Sequence, residues 1–476
     1  MKTIIRILIL SIFVLSQSVY AANKTGTVNL KEAVGTMRLD YFHTGNSKQE
    51  FFSVDEVVIE PHPWAGNPNQ PIDTIPRGKY LFEVFDLKSS KLLYSRSFSS
   101  IYGEWEYTGE ATRVNRTFHE SLRFPAPKAK VQVVLKKRSY SEGFKEIWRT
   151  EIDPAHMFVN TGKPRFDGEV FAVIENGDPA KKVDLLIMGD GYSKKESAKF
   201  HADVKRLADA LFATEPFKSR QQDFNVWAVL PNSDISGISR PSTGVHKDTP
   251  LALRYDIFGS ERYMLTLDNK SFREIASQAP YEFVEIVANG ETYGGGGIYG
   301  LYGTTSSDND WSEYVFIHEF GHHFAGLADE YYASPVAQAM VQGLAEPYEP
   351  NVTANTNKNT LKWQQYVKPL TPIPTHWDKE AYDVYSNKYQ KRRREIRAQK
   401  LPESIMNELF AANSRFQKDL FSKNKYKNEV GLFEGANYEA NGYYRSEQNC
   451  IMFTRDQNFC HVCSHAIEQI VDLYSK

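Results

Sequence analysis

The spacing of apolar and polar residues changes character partway along the chain. In the first part, apolar positions alternate with polar ones over short segments such as 80–85, 92–98 and 131–135, which are separated by turn residues. Alternation of period two is typical of half-buried strands, and short strands separated by turns indicate antiparallel sheets. We therefore predict an N-terminal antiparallel β-sandwich domain over residues 22–165.

A second pattern begins after Pro164. Residues 183–192 are mainly apolar, as in a buried strand, and end in a glycine turn. Residues 194–213 repeat apolar positions at helical spacing, and residues 224–230 form another mainly apolar segment. Strands that alternate with helices indicate an α/β layer. The predicted fold class is α+β, with the sandwich followed by an α/β domain over 166–476.

Residues 1–21 have the pattern of a signal peptide. Lys2 and Arg6 precede an apolar segment, and Val19 and Ala21 occupy the small-residue positions of a cleavage site. The alternative is a membrane anchor, but the apolar segment is shorter than the ~20 residues that a span needs. We expect cleavage, export to the periplasm, the cell surface or the extracellular space, and no transmembrane anchor in the mature chain.

The charge and cysteine content of the chain exclude two classes of protein. A total of 57 Lys and Arg against 59 Asp and Glu gives a net charge of -2, whereas a nucleic-acid reader needs a concentrated positive field. Three cysteines are too few for the disulfide framework of a small exported domain. Neither number bears on the oligomeric state, which stays open.

Residues 311–332 carry the strongest chemical signal, WSEYVFIHEFGHHFAGLADEYY. On a helix, His318 and His322 lie on one face, where their imidazoles can hold one Zn²⁺. Glu319 lies beside them, in position to take a proton from a water molecule that the metal activates. The motif therefore predicts a hydrolytic zinc site with Glu319 as its general base. The alternative is a helix whose histidines are satisfied inside the core.

A catalytic zinc ion needs a third protein ligand and keeps its fourth position open. Gly326 can end the helix by adopting a positive φ, and a chain that reverses there brings Asp329 back to the histidine pair. Glu330 or a distant residue are the alternatives for the third ligand. His323 lies about 100° around the helix from the pair and is not expected to bind.

This arrangement resembles the metzincin pattern H-E-x-x-H-x-x-G-x-x-H, except that the glycine and the third ligand come one residue later, at Gly326 and Asp329. Metzincins also have a methionine turn beneath the metal, and residues 449–453 are similar to it. The resemblance implies that Met452 forms the apolar floor of the zinc site. The alternative is a methionine that only fills the core.

Residues 318–331 closely resemble the IgA-peptidase family of secreted zinc endopeptidases. A β-rich exported domain ahead of the peptidase domain is also similar to the layout of that family. The resemblance implies a metzincin-like metallopeptidase domain over 166–476, one catalytic Zn²⁺, and protein or peptide substrates, with immunoglobulin-like and other host proteins as candidates. Further segments that carry the resemblance are 349–351, 431–436, 444–445 and 450–452.

All three cysteines, Cys450, Cys460 and Cys463, lie close to the C-terminus. In an exported chain, a disulfide from Cys450 to Cys460 or Cys463 is one interpretation. A second metal site is another, because C-x-x-C is a ligand spacing and Cys450 with a histidine would complete four ligands. Free thiols are the third.

Two further segments have functional interpretations. Tyr444 and Arg445, together with Tyr443, precede the methionine turn and are candidates for stabilising the transition state; ordinary packing is the alternative. Residues 294–297 are four glycines without the Gly-Lys-Ser/Thr ending of a phosphate loop. They form either a flexible loop or an edge strand that pairs with extended substrate.

The sequence therefore predicts an exported zinc-dependent endopeptidase. The rival function is a cell-surface module that binds glycans or proteins and retains an idle zinc site. An intact Glu319 favours the enzyme, since a purely structural site needs no acid at that position. Hydrolysis of a non-peptide amide is a third function that the same site could perform.

Overall fold

The alternating segments of the N-terminal region form strands in a computed structural model of the chain. The predicted segment 92–98 coincides with a strand, and the strands that begin at 80 and 131 extend past their predicted ends. The elements of this region are β1 (Gly35–Gly45), β2 (Glu50–Pro63), β3 (Tyr80–Asp86), β4 (Leu92–Phe98), α1 (Ile101–Trp105), β5 (Arg116–Pro125), β6 (Val131–Ser139) and β7 (Gly143–Ile152).

Two antiparallel sheets, with strand orders β2-β1-β5 and β4-β3-β6-β7, pack around one core. Tyr80, Phe82 and Val84 alternate along β3 and are at most 4% exposed, and they share this core with Leu39 and Tyr41 of β1. Burial of every second side chain explains why a period-two sequence adopts this form. The arrangement is consistent with the predicted N-terminal β domain.

A mixed sheet of six strands lies in the second part of the described chain. The apolar runs predicted as strands and the amphipathic segment predicted as a helix become β9, β10 and α2 of this part. Its elements are β8 (Gly168–Ile174), β9 (Val183–Asp190), α2 (Ser197–Ala213), β10 (Phe224–Pro231), α3 (Asn269–Ala276), β11 (Phe283–Ala288), β12 (Gly295–Ile298), β13 (Tyr302–Ser306) and α4 (Ser312–Ala325).

The strand order of this sheet is β12-β13-β11-β9-β10-β8. The four inner strands are parallel, and the edge strands β12 and β8 are antiparallel to their neighbours. Leu185 and Ile187 of β9 face a core with α2 and α4, whereas Leu186 and Met188 face a core with α1 and α3. Because both faces are covered, the middle of the strand, residues 185–188, is a continuous apolar run.

The last part of the chain adds helices and a small sheet around α4. Residues 379–398 and 403–422 form two long helices. A small antiparallel sheet has the order β14-β16-β15, and the last helix packs against α4. The elements are β14 (Val352–Thr353), α5 (Lys379–Ala398), α6 (Glu403–Ser422), β15 (Phe433–Ala436), β16 (Glu439–Arg445) and α7 (His461–Ser475).

The predicted signal peptide, 1–21, lies outside the described residues. From Val34 to Lys476 the chain forms one compact unit, and the limits 22–165 and 166–476 stay predictions. In the part of the chain that the structure describes, no helix combines the length and apolar character needed to cross a bilayer. The structure describes residues 34–139, 143–333, 345–456 and 458–476.

Candidate active site

Helix α4 carries the histidine motif and ends where the sequence predicts. Gly326 has φ 60° and ψ 38°, in the left-handed region that favours glycine. Its N–H donates to the carbonyl of His322 at 3.0 Å, and the N–H of Leu327 donates to the carbonyl of Gly321 at 3.3 Å. A Cβ at Gly326 would also lie 3.2 Å from the ring of Tyr299, so both conformation and space require glycine. The chain reverses at this point.

His318, His322 and Asp329 converge after this reversal. Oδ1 of Asp329 lies 3.0 Å from Nε2 of His318 and 3.2 Å from Nε2 of His322, and the two Nε2 atoms are 3.2 Å apart. Ligands about 2 Å from a tetrahedral zinc ion lie roughly 3.3 Å from one another. The three atoms are therefore spaced as three protein ligands of one ion would be.

Hydrogen bonds on the far side of each imidazole fix its tautomer. Nδ1 of His318 donates to the carbonyl of Ile451 at 2.9 Å, and Nδ1 of His322 donates to the carbonyl of Leu327 at 2.5 Å. A carbonyl only accepts, so the proton resides on Nδ1 and the Nε2 lone pair faces Asp329. Three lone-pair atoms this close repel one another unless a cation or a proton lies between them. The donor set of two imidazoles and a carboxylate fits Zn²⁺.

Burial and charge act against each other on the titratable groups of the site. Burial disfavours the charged form of His322, but the charge and hydrogen bond of Asp329 outweigh it and raise the pKa of His322 to about 9. Burial favours the neutral form of Asp329, but the two histidines hold its pKa well below the usual range. Burial raises the pKa of Glu319, although His318 and His322 oppose the shift. The site therefore attracts positive charge.

Residues 450–453 form a turn directly beneath α4. A backbone hydrogen bond of 2.9 Å joins its first and last residues. Met452 is fully buried, and a Cβ at Gly321 would lie 3.0 Å from its Sδ, which places the thioether against the helix. The carbonyl of Met452 accepts from the N–H of Glu330 at 2.9 Å, so the turn also holds the segment that carries Asp329. Met452 thus packs against the helix that carries His318 and His322, and its role as the floor of a zinc site stays a prediction.

Tyr438 is a site residue that the sequence did not indicate. Its hydroxyl donates a short hydrogen bond to Oδ2 of Asp329. The turn between β15 and β16 folds back on the same segment, because the N–H groups of Asn437 and Tyr438 each donate at 3.0 Å, to the carbonyls of Asp329 and Tyr331. Asn437 is the one local sequence signal for a turn here, and it does not reveal what the turn contacts.

A cavity of about 600 Å³ lies over Glu319, His322 and Asp329. Three of the four glycines, 295–297, line it, and these three belong to the edge strand β12 and not to a flexible loop. A Cβ at Gly297 would lie 2.4 Å from the carbonyl oxygen of Glu319. Glycine is therefore required for β12 to pack closely against α4.

The N-terminal β region is joined to the site by Arg77. Its Nη1 donates to the carbonyls of Ala325 and Ala466, each at 2.8 Å, and its Nη2 donates to Oε1 of Gln469 at 2.6 Å. The region is thereby fixed to the end of α4 and to α7. It also contributes charged and aromatic side chains to the cavity, namely Lys79, Glu104 and Tyr107.

The residues predicted to stabilise the transition state lie in different places. Tyr443 lines the cavity, whereas Tyr444 and Arg445 are not among the described residues that line it. Arg445 is fully buried, with its guanidinium over the rings of Trp377 and Phe453. Packing, the alternative interpretation, accounts for Arg445. The predicted catalytic role has no support in the positions of Tyr444 and Arg445.

Cys450, Cys460 and Cys463 are buried free thiols, so the disulfide that is one interpretation of the sequence is not formed in this structure. The Sγ atoms of Cys450 and Cys463 lie 3.8 Å apart. Sγ of Cys463 lies 3.5 Å from Oε1 of Glu330, whose pKa burial raises well above the usual range. Glu330, and not a histidine, joins the thiols. Nδ1 of His323 lies 3.0 Å from Oε1 of buried Glu285 and not beside His318 and His322.

Models of known protein families match nearly the whole chain. The model described as IgA Peptidase M64 matches residues 171–471, and the model described as Peptidase M64 N-terminus matches residues 31–149. The first match spans the central sheet, α4 and the methionine turn, and the second spans most of the N-terminal β region. None of the curated proteins compared with this chain matches it.

Proposed function

We infer that this chain, which belongs to the IgA peptidase M64 family and is therefore a peptidase, is an exported zinc-dependent endopeptidase. The observation that carries the proposal is the convergence of His318, His322 and Asp329 beside Glu319. Glu319, His322 and Asp329 border a cavity of about 600 Å³, which gives an extended protein segment access to them.

His318, His322 and Asp329 are the residues that would hold Zn²⁺. Backbone carbonyls orient both imidazoles, and Tyr438 binds the second carboxylate oxygen of Asp329. A bound zinc ion supplies a Lewis acid, which lowers the pKa of water and polarises a carbonyl. The chain's own residues thus provide the ligands and the contacts that orient them.

Glu319 is the proposed general base. Its carboxylate takes a proton from the attacking water, whose oxygen forms the new bond to the carbonyl carbon of the scissile peptide. As the C–N bond breaks, Glu319 gives that proton to the leaving amine. Burial raises the pKa of Glu319, which makes the carboxylate a stronger base.

The arrangement supports a metzincin-like site. Gly326 takes the left-handed turn that ends α4, and Ala325 remains in the helix. The shift of one residue from the metzincin pattern is thus absorbed by one extra helical residue, with Asp329 still three residues after the glycine. Met452 packs beneath the helix as a methionine turn requires.

The edge strand β12 is the proposed binding site for extended substrate. The N–H of Gly295 donates to the carbonyl of Arg262 at 3.1 Å, and its carbonyl accepts from Met264 at 3.3 Å, so this part of the edge is already paired. Substrate would therefore pair from Gly297 onward, beside Glu319.

Peptide substrates N-methylated at one backbone amide at a time test this pairing without disturbing the packed glycines. Methylation at the position that pairs with Gly297 should reduce cleavage sharply, because it removes a ladder hydrogen bond. Equal cleavage of the whole methylated series would contradict substrate pairing at β12.

The deciding experiment compares the wild-type chain with Glu319→Gln at equal zinc content on a panel that includes immunoglobulins and other host proteins. We expect cleavage by the wild type and a loss of cleavage by the variant. Equal cleavage by both would contradict the mechanism. Binding without cleavage by either would favour the binding module, and cleavage confined to small non-peptide amides would favour that class of substrate.

Export rests on the signal-like residues 1–21. Sequencing the N-terminus of the protein recovered from its native cells should give a chain that begins at Ala22. Recovery of the chain with Met1 from the cytoplasm would contradict the proposal.

A further inference from the structure

A second cluster of ligand-type atoms lies close to the zinc-binding histidines. Cys450, Cys460, Cys463 and Glu330 each place one sulfur or oxygen atom within 4.8 Å of all the others. Sγ of Cys463 lies 3.8 Å from Sγ of Cys450 and 3.5 Å from Oε1 of Glu330. Around a tetrahedral zinc ion, with bonds of ~2.3 Å to sulfur and ~2.1 Å to oxygen, neighbouring ligand atoms lie about 3.5–3.8 Å apart.

The four side chains are almost completely enclosed. Glu330 and Cys463 are 0% exposed, Cys450 is 1% exposed and Cys460 is 4% exposed. Oε1 of Glu330 accepts from Nδ2 of Asn351 at 3.0 Å, while Oε2 has no hydrogen-bond partner among the described residues. A buried carboxylate with an unpartnered oxygen is costly, and a cation at the cluster would compensate for it.

Backbone donors surround the sulfur atoms. The N–H of Cys460 donates to Sγ of Cys450 at 3.3 Å, and the N–H of Cys463 donates to Sγ of Cys460 at 3.4 Å. Cys460 is the N-cap of α7, so the C-x-x-C segment lies at the positive end of a helix. These contacts favour the thiolate, which is the form of cysteine that binds metal.

The surrounding charge also suits a metal centre of this composition. Three thiolates and one carboxylate around Zn²⁺ leave a net negative charge. Arg445 is fully buried, and Glu330 and Cys450 are among the groups whose charges act on it. Besides its packing against Trp377 and Phe453, the positive charge of this arginine would offset part of the negative charge of the cluster.

A disulfide accounts for less of this geometry. It would join two of the three cysteines and leave the third thiol buried against a carboxylate. A metal ion engages all four groups at once. We propose that Cys450, Cys460, Cys463 and Glu330 bind a second zinc ion with a purely structural role.

The structural role follows from the ligands, because four protein groups leave no open position for substrate. They come from three segments: Glu330 directly follows Asp329, Cys450 begins the methionine turn, and Cys460 and Cys463 begin α7. Since Glu330 also donates its N–H to Met452 at 2.9 Å, the ion would fix the segment that presents Asp329 to the first site. The second ion would thus stabilise the geometry of the first.

The test uses the full chain, purified without chelator, and measures zinc content and the absorption of the cobalt-exchanged protein. We expect two zinc ions per chain, three thiols that react only after unfolding, and the near-ultraviolet charge-transfer band of cobalt bound to thiolate. None of these readouts depends on peptidase activity, so the proposal can fail while the proposed function stands.

Paired variants assign each ion. His318→Ala with His322→Ala should keep one zinc ion and the charge-transfer band, and Cys460→Ser with Cys463→Ser should lose the band. Val462→Ala is the matched control, because Val462 is 6% exposed and lies between the two cysteines, yet it offers no ligand. It should perturb α7 and keep the band.

Measurements on the wild-type protein test the second zinc site even if a cysteine variant fails to fold. One zinc ion with no thiolate band, or a disulfide identified by mass spectrometry of the unreduced protein, would overturn the proposal. Glu330→Gln should lower the affinity for the second zinc ion, although the three thiols are still present. Full retention of that ion would show that Glu330 is not a ligand.

Discussion

Asp329 and Glu330 are neighbours in sequence and belong to two different clusters. Asp329 meets two imidazoles beside a cavity of about 600 Å³, whereas Glu330 meets three thiols in a closed core. The segment that carries both residues is neither helix nor strand, and in it the side chain of Asp329 faces the histidines while that of Glu330 faces the cysteines. Under the two proposals above, access to the cavity, and not only the type of ligand, separates the reactive centre from the structural one.

The two clusters also differ in what completes them. At the first, three protein atoms converge and Glu319 stands beside them, which leaves a position for a reacting molecule. At the second, four protein atoms converge and the burial is complete or nearly so. The comparison therefore predicts that variants at the first cluster change chemistry and that variants at the second change stability.

The largest expected effect comes from Glu319→Gln. Loss of the general base should reduce kcat/KM by about 10²–10⁴-fold, because proton transfer to and from the reacting groups is no longer assisted. Zinc content should be unchanged, since the three proposed ligands are intact. Kinetics on one defined peptide substrate, with metal analysis of the same sample, measure both. Unchanged cleavage would remove Glu319 from the mechanism.

The next comparison replaces each of the two carboxylates by its amide, in separate variants. Asp329→Asn should abolish cleavage and lower zinc affinity at the histidines by more than the roughly 10–100-fold that loss of an outer contact costs. Glu330→Gln should instead lower the melting temperature and release the other ion. Zinc titration and thermal unfolding of both variants make the measurement. If both variants lost the same ion, the distinction between the clusters would be wrong.

A smaller effect is expected from Tyr438→Phe. The change removes one hydrogen bond to Asp329 and keeps the ring, so zinc affinity at the histidines should fall by about 10–100-fold. Tyr443→Phe is the control, because Tyr443 lines the same cavity and donates to the carbonyl of Ala345 instead. Equal zinc affinities for the two variants would mean that Tyr438 does not orient Asp329.

The smallest effect concerns Arg77→Met. The change leaves the buried carbonyls of Ala325 and Ala466 without their donor, which should cost about 1–3 kcal/mol of unfolding free energy. Both ions should remain bound, since Arg77 touches no ligand in either cluster. Denaturant unfolding measures the free energy, and metal analysis of the same sample measures the number of bound ions. Loss of an ion would show that the N-terminal β region holds a metal site together directly.

Much of the fold could be predicted from local pattern. The segment 92–98 coincides with β4, and the mainly apolar segment after residue 182 becomes β9. Both could be predicted because half-buried and fully buried strands have characteristic patterns of apolar residues. The conformation of the glycines at 294–297 is harder to predict, since a flexible loop and an edge strand share that composition. Their role depends on the backbone of α4, which passes close to Gly297.

The residues of the candidate site likewise fall into those that the local sequence predicts and those that it does not. His318 and His322 lie on one helix face, and Gly326 ends that helix in the left-handed conformation. The transition-state candidates Tyr444 and Arg445 have no support, and Tyr438 took no part in the prediction. A tyrosine carries no local sign of its distant partner, and Tyr438 reaches Asp329 across 109 positions.

By itself, the sequence determined the helix that carries His318 and His322, the turn at Gly326 and the period of the strands. Those features depend on residues a few positions apart, whose geometry the backbone fixes. Only the tertiary structure decided that Asp329 faces the histidines, that Glu330 faces the cysteines, and that the N-terminal β region contributes to the cavity. Asp329 and Glu330 follow the histidines by only a few positions, so local spacing leaves both open as partners, and packing of the whole chain selects between them. The contact of Glu330 with Cys463 and the contribution of the N-terminal β region to the cavity join segments that are remote in sequence.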